Sequence, residues 1–156
     1  MKIKVTNYGI AFDYVYNHSG YSKNKSFAII SIQEYPEDIM GVQYKAGGFC
    51  KAALNLWFSD IDSPKSENKE KYIKLITDDD AKKIKEFVDY IKTLKVEKLI
   101  IHCHAGISRS AAVAAAISRA ETGDDKEFFS ERYFPNMKVY YTVLRALGYD
   151  NTPLEQ

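Results

Sequence analysis

Very little in this sequence would cross-link it, bury it in a membrane or give it a strong charge of one sign. Its two cysteines, Cys50 and Cys103, are too few for a disulfide framework. A thiol that does chemistry must also stay reduced, so a reducing, cytoplasmic setting is the expectation. The longest uninterrupted aliphatic stretch, around Ala111 to Ile117, is too short to cross a bilayer, and the N-terminal MKIKVTNYGIAFDYVY has no long apolar core. The chain therefore reads as soluble and unprocessed. Its 22 Lys and Arg nearly cancel its 21 Asp and Glu. The overall field gives no reason to bind nucleic acid or an anionic membrane, and any anion site must be local.

What the sequence has is apolar material, 46% hydrophobic and 13% aromatic residues, enough for one well-buried core in one domain over residues 1–156; a monomer is the expectation, though composition does not derive it. No internal repeat divides it. In the first fifty residues MKIKV, FDYVY and SFAIISI read as strands separated by Asn, Gly and Ser. Ala52 to Phe58 reads as a buried strand running into the acidic turn Ser59-Asp60-Ile61-Asp62. Ser63 to Lys71 has the composition of a solvated loop, and the tail NTPLEQ reads as frayed. Thr77 and Asp80 fit a capping box for a helix with Ala81, Ile84, Phe87, Val88, Ile91 and Leu94 on its inner face. Asp78-Asp79-Asp80 suits the first turn of that helix without an ion.

Val96 to Ile101 then predicts a strand buried on both faces. It leads through HCHAGISRS into an alanine-rich helix that stops at Gly123. Asp124 to Tyr133 suggests a short helix, and Asn136 caps another carrying Met137, Tyr140, Tyr141, Leu144 and Leu147 inward. Strand and helix alternate through the middle of the chain. The fold class expected is α/β, a mostly parallel central sheet flanked by helices, with the HCHAGISRS loop between a central strand and a buried alanine-rich helix.

That loop carries the chemistry. It places a thiol, Cys103, and a guanidinium, Arg109, at the two ends of a short turn from strand to helix. Such a turn points backbone N–H groups inward at the positive end of a helix, which suits a phosphate dianion. The phosphate-binding candidates are His104, Ala105, Gly106, Ile107, Ser108 and Arg109, with Gly106 permitting the tight curvature and Arg109 offering a planar fork to two oxygens. The same dipoles favour the thiolate of Cys103 as a nucleophile. The Ser110 hydroxyl is placed to bond the sulfur and help it leave.

The pattern His102-Cys103, five residues, then Arg109-Ser110 resembles the signature of the protein-tyrosine-phosphatase superfamily, and AGISRS resembles its compact dual-specificity branch. The likeness covers roughly Ala52 to Leu147 in element order. Related cysteine and arginine spacings occur in rhodanese-like, arsenate-reductase and low-molecular-weight phosphatase families. The loop's position two-thirds along the chain, with His102 before it and Ser110 after it, fits the tyrosine-phosphatase branch. The resemblance implies a general acid on a separate loop after a strand. Asp60, 43 residues before Cys103, fits that place, with Asp62 in reserve. It also implies that His102 supports the loop. The Trp-Pro-Asp form of the larger tyrosine-specific enzymes is replaced here by Phe58-Ser59-Asp60, as in the compact branch.

The activity implied is hydrolysis of phosphotyrosine, with phosphoserine or phosphothreonine as further candidates, in phosphorylated proteins. It runs through a cysteinyl-phosphate and needs no cofactor and no metal. Two rivals stand beside it. One is hydrolysis of a non-protein ester such as a phosphoinositide, against which stands the lack of lysine at His104, Ala105, Ile107 and Ser108. The other is a silent phosphate-binding module, against which stands the presence of cysteine, arginine and acid together. A metal on His102, Cys103 and His104 is disfavoured because strand residues alternate in direction. Cys50 reads as an inert buried thiol, with a reversible disulfide to Cys103 as the alternative.

Overall fold

The computed structural model describes residues 1–16, 25–36, 41–62 and 73–149. The expectations for the Ser63 to Lys71 loop and for the NTPLEQ tail lie outside these residues. Four strands, β1 Lys2–Thr6, β2 Phe27–Gln33, β3 Cys50–Trp57 and β4 Lys98–His102, form a sheet in the order β1-β4-β2-β3. Every pairing is parallel. Helices α1 Tyr8–Tyr16, α2 Asp78–Leu94, α3 Arg109–Thr122 and α4 Met137–Ala146 flank it, so the α/β architecture is the one expected.

A parallel sheet covered on both sides needs apolar residues at successive positions, and β2 and β4 supply them. Ala28, Ile30 and Ile32 join Leu99 and Ile101 in the larger core, beneath α2, α3 and α4. Phe27 and Ile29 join Ile100 in a smaller core beneath α1. In α3 every residue from Arg109 to Ile117 is buried, and the small alanines let the helix lie close against the sheet. Gly123, at φ 81°, ends it in the left-handed conformation that glycine adopts without penalty.

Thr77 and Asp80 form the capping box reciprocally at the start of α2, whose Ala81, Ile84, Val88 and Ile91 are buried. Leu94, expected on the same face, is exposed. Asn136 caps α4 by accepting the Val139 N–H at 3.1 Å. The buried stripe there runs through Val139, Tyr140, Val143 and Leu144, while Met137 is exposed. The short helix after Asp124 is a single 3₁₀ turn, Lys126–Phe129.

One element differs in kind. FDYVY reads as a strand but lies inside α1. Asn7 starts the helix, its side chain accepting the Ile10 N–H at 2.8 Å and its carbonyl the Ala11 N–H at 3.1 Å. Ala11, Tyr14 and Val15 then bury at helical spacing. The core they enter outweighs the β-preference of aromatic and β-branched residues, which is itself a packing preference.

The topology places a crevice. β1 and β4 are neighbours, with Thr6 level with His102, yet β1 sends its chain to α1 on one face and β4 sends its chain to α3 on the other. Adjacent strands that part in this way open a cleft at their C-terminal ends, where α/β sheets bind ligands. Cys103 is the next residue after β4.

Candidate active site

The loop from His102 to Ser110 is shaped by what its carbonyls bond. The carbonyl of His104 accepts the Tyr8 N–H at 3.3 Å, that of Ile107 the Phe134 N–H at 2.9 Å, and that of Ser108 the Asn136 N–H at 3.2 Å. In a trans peptide the N–H opposes the C=O. Carbonyls drawn outward by three surrounding segments therefore turn the amides of Ala105, Ser108 and Arg109 toward the other side. The Gly106 N–H points directly at Cys103 Sγ, 3.3 Å away.

Gly106 is required by position as well as by curvature. Its φ is +71°, and a Cβ there would stand 2.6 to 2.7 Å from backbone atoms of Thr6 and Asn7. The loop leans on the end of β1 through that bare α-carbon.

Cys103 is buried, and its sulfur lies 3.1 Å from Ser110 Oγ, the contact expected of Ser110. Arg109 is buried too. Its Nη1 donates to the Phe58 carbonyl at 3.0 Å and its Nη2 pairs with Glu34, while Nε has no hydrogen-bond partner among the described residues. The guanidinium is thus aimed by two neighbouring strand ends, those of β2 and β3. Asp60, following β3, reaches the loop: its Oδ1 accepts from Ser108 Oγ at 2.8 Å and from Asn136 Nδ2 at 3.0 Å. Ser108, at the start of α3, makes no side-chain cap because its hydroxyl serves Asp60. Asp62 is exposed and makes no such contact with the loop among the described residues.

No protein-family model and no curated protein matches the sequence. Solved structures match the fold. DUSP15 aligns with a TM-score of 0.57 at 20% identity, over 94% of this chain and 83% of its own. PTPMT1, solved in complex with PI(5)P, gives 0.56 at 13% identity over 94% and 90%. The human tyrosine phosphatase-like serine/threonine/tyrosine-interacting protein gives 0.51 at 21% identity over 78% and 76%. The chain has the protein-tyrosine-phosphatase fold, in its dual-specificity-like form.

Within the protein-tyrosine-phosphatase fold, the residues singled out in the sequence fall into one place. Cys103, Ser110, Arg109 and the amides of the loop surround one turn, and Asp60 stands at its rim. His104 is exposed, stacked on the Tyr8 ring at 5.1 Å. His102 is buried, bonding the Cys103 carbonyl at 3.1 Å and Ser31 Oγ at 2.6 Å. Among the described residues no three His, Cys, Asp or Glu side chains gather as a metal site would require. No helix there is long and apolar enough to cross a membrane.

Cys50 is far from Cys103. It pairs with Phe27, which in turn pairs with Lys98, so it sits five residues back along the sheet and two strands across. That is about 16 Å along the strands alone, beyond the roughly 7 Å that a disulfide spans. Burial raises its pKa, which suits an inert thiol.

Four contributors escaped sequence reading: Glu34, the Phe58 carbonyl, Ser31 and the amide of Asn136. Only Asn136 left a signal, as a helix cap. An Asn that caps with its oxygen still has two N–H donors to spend, and here they reach Asp60 Oδ1 and the Ile61 carbonyl.

Proposed function

We propose that this protein is a metal-independent, cysteine-dependent phosphatase that hydrolyses phosphotyrosine in proteins, with phosphoserine and phosphothreonine as further substrates. One observation carries the reading. Cys103 Sγ lies between the Gly106 N–H and the Ser110 hydroxyl at the base of the loop that also positions Arg109. The Gly106 N–H donates to that sulfur and the Ser110 hydroxyl is within hydrogen-bond reach of it, and the inward amides together with Arg109 suit the dianion it would attack. The buried, unpartnered Arg109 Nε–H is a donor that a phosphate oxygen would satisfy.

The reaction runs in two displacements. Cys103 Sγ attacks phosphorus, the P–O ester bond breaks, and the leaving oxygen takes its electron pair and the proton of Asp60, giving a cysteinyl-phosphate. Ionised Asp60 then takes a proton from water as its oxygen attacks phosphorus. The S–P bond breaks toward sulfur, and Ser110 Oγ–H stabilises the thiolate released. Charge on the transferring oxygens is met by loop amides and Arg109, so the chemistry asks for no metal.

The test is release of phosphate from phenyl and nitrophenyl phosphate in the presence of a chelator. Cys103→Ser is expected to bind phosphopeptide without turnover. Asp60→Asn is expected to slow the poor leaving group, phenyl, by roughly a hundredfold and the nitrophenyl ester far less. A larger effect at Asp62 would move the acid there. Phosphopeptide binding with no phosphate released from acidic to neutral pH would leave only a binding module.

A further inference from the structure

We propose that Asn136 and Ser108 are positioning residues for the general acid, holding Asp60 against the phosphate loop and fixing on Oδ2 the proton that it gives up. This rests on the phosphatase reading of Cys103 and Asp60 and deepens it.

The need comes first. Asp60 follows the end of β3 and is exposed, and an exposed carboxylate turns between rotamers unless something holds it. Displacing a reacting group by an ångström costs up to about a hundredfold in rate. Ser108 Oγ and Asn136 Nδ2 hold this one, since both donate to Asp60 Oδ1, at 2.8 and 3.0 Å. The turn is held as well, because Asn136 Nδ2 also donates to the Ile61 carbonyl at 3.1 Å.

The two donors are themselves fixed. Asn136 Oδ1 accepts the Val139 N–H at 3.1 Å, a group that can only donate, so the amide cannot be turned over and Nδ2 must face Asp60. The Asn136 N–H donates to the Ser108 carbonyl at 3.2 Å, and that carbonyl also accepts the Ala112 N–H at 3.0 Å. One asparagine thereby joins the start of α4, the phosphate loop and the acid. Ser108 closes the ring of bonds, its carbonyl bound by Asn136 and its hydroxyl spent on Asp60.

These bonds assign the proton. The hydroxyl oxygen of a carboxylic acid is a weak acceptor, so the oxygen that receives two donors is the carbonyl one. Asp60 therefore carries its acidic hydrogen on Oδ2. It gives that proton to the leaving ester oxygen, and takes one back from the attacking water on the same atom. Oδ1 keeps both donors in either state, so the carboxyl has no need to turn between the two displacements.

Two variants, each removing one donor, test the proposal. Asn136→Ser keeps an N-cap of similar strength and loses Nδ2. Ser108→Ala loses the hydroxyl and leaves α3 its start, because that hydroxyl makes no cap. Turnover of phenyl and nitrophenyl phosphate is measured in both, with urea unfolding as the check on fold. Each variant is expected to slow the phenyl ester about tenfold and the nitrophenyl ester far less, with Ser108→Thr restoring the phenyl rate. In an Asp60→Asn background neither is expected to slow the phenyl ester further, since a positioning residue acts through the group it positions. Equal slowing of both esters, or a further loss in that background, would reduce the pair to structural supports. The two readings fail differently. A wild type inert on nitrophenyl phosphate removes the phosphatase and the acid with it, whereas an active wild type whose variants keep its ratio of the two esters removes the clamp alone.

Discussion

His102 shows how far single atoms can be assigned. The Cys103 carbonyl can only accept, so the ring nitrogen beside it, Nδ1, carries the hydrogen. Burial, with a smaller push from the Arg109 charge, lowers the pKa of this histidine from 6.5 against the opposing bond to that carbonyl. The ring is therefore neutral, Nε2 is bare, and the Ser31 hydroxyl donates to it at 2.6 Å. Gln33 Nε2 donates in turn to Ser31 Oγ, and to the Val42 carbonyl at 3.0 Å. The hydrogen bonds run one way, from β2 to the peptide of the nucleophile, and make Ser31 a positioning residue. Between the lowered folded pKa and the unfolded value of 6.5, only the unfolded chain takes up the proton. Stability thus holds above that window and falls as pH drops through it. Ser31→Ala leaves Nε2 buried without its donor, at a cost of about 1–3 kcal/mol. We expect kcat to fall roughly tenfold. The neutral ring would also lose its stabilising bond, moving the acid limb of the pH–rate profile upward, and Ser31→Thr would restore both. An unmoved profile in Ser31→Ala would reduce Ser31 to a packing residue.

The strand-loop-helix unit of β4 and α3 owes its shape to contacts at both ends. At Gly106 the obstacle is backbone, Thr6 carbon at 2.6 Å, so no rotamer change can make room for a side chain. Gly106→Ala must push the loop off β1 and also strain a residue at φ +71°. We expect a loss of about 2 kcal/mol in stability, read from urea unfolding, and at least a hundredfold drop in turnover, because the N–H that meets the sulfur moves with it. This unit was also the most legible in the sequence. The double-sided apolar run of β4, the alanines of α3 and the terminal Gly123 are local signals, and the Cys103 to Arg109 spacing is contained in one turn. Asp60 was legible through its place after a strand. What sequence does not encode locally is what another strand supplies: Ser31 on β2 and Glu34 just past its end are ordinary polar residues until the order β1-β4-β2-β3 sets them beside the loop. FDYVY misleads for the same reason, since alternation and helical spacing both fit five residues, and only the core beneath α1 decides.

At the scale of the whole molecule, identities of 13% to 21% with structures of the same fold show that its frame tolerates nearly complete replacement of side chains. What the frame demands is two apolar layers, one on each face of the sheet, and in this chain each layer contains a tyrosine resistant to ionisation. Tyr44 lies in the smaller core, edge-on to His102 at 5.7 Å, and burial together with neighbouring Tyr16 raises its pKa from 10.0 to about 12. Tyr140 lies in the larger core, its hydroxyl donating to Asp125 at 2.5 Å and accepting from Arg119 at 3.2 Å; burial first, then Asp125, raises it also to about 12. Above pH 10 the unfolded chain releases both phenolic protons while the folded chain keeps them, so the unfolded state binds fewer protons and stability must fall as pH rises toward 12. The two layers should weaken together, since neither face of the sheet can open without exposing the other. Urea midpoints measured between pH 9 and pH 11 are expected to decline in the wild type. Tyr44→Phe keeps the ring and removes the phenol, and should flatten that decline, with Tyr140→Phe adding to the effect. An alkaline slope as steep in the double variant as in the wild type would mean that these two phenols are not what ties the layers to pH.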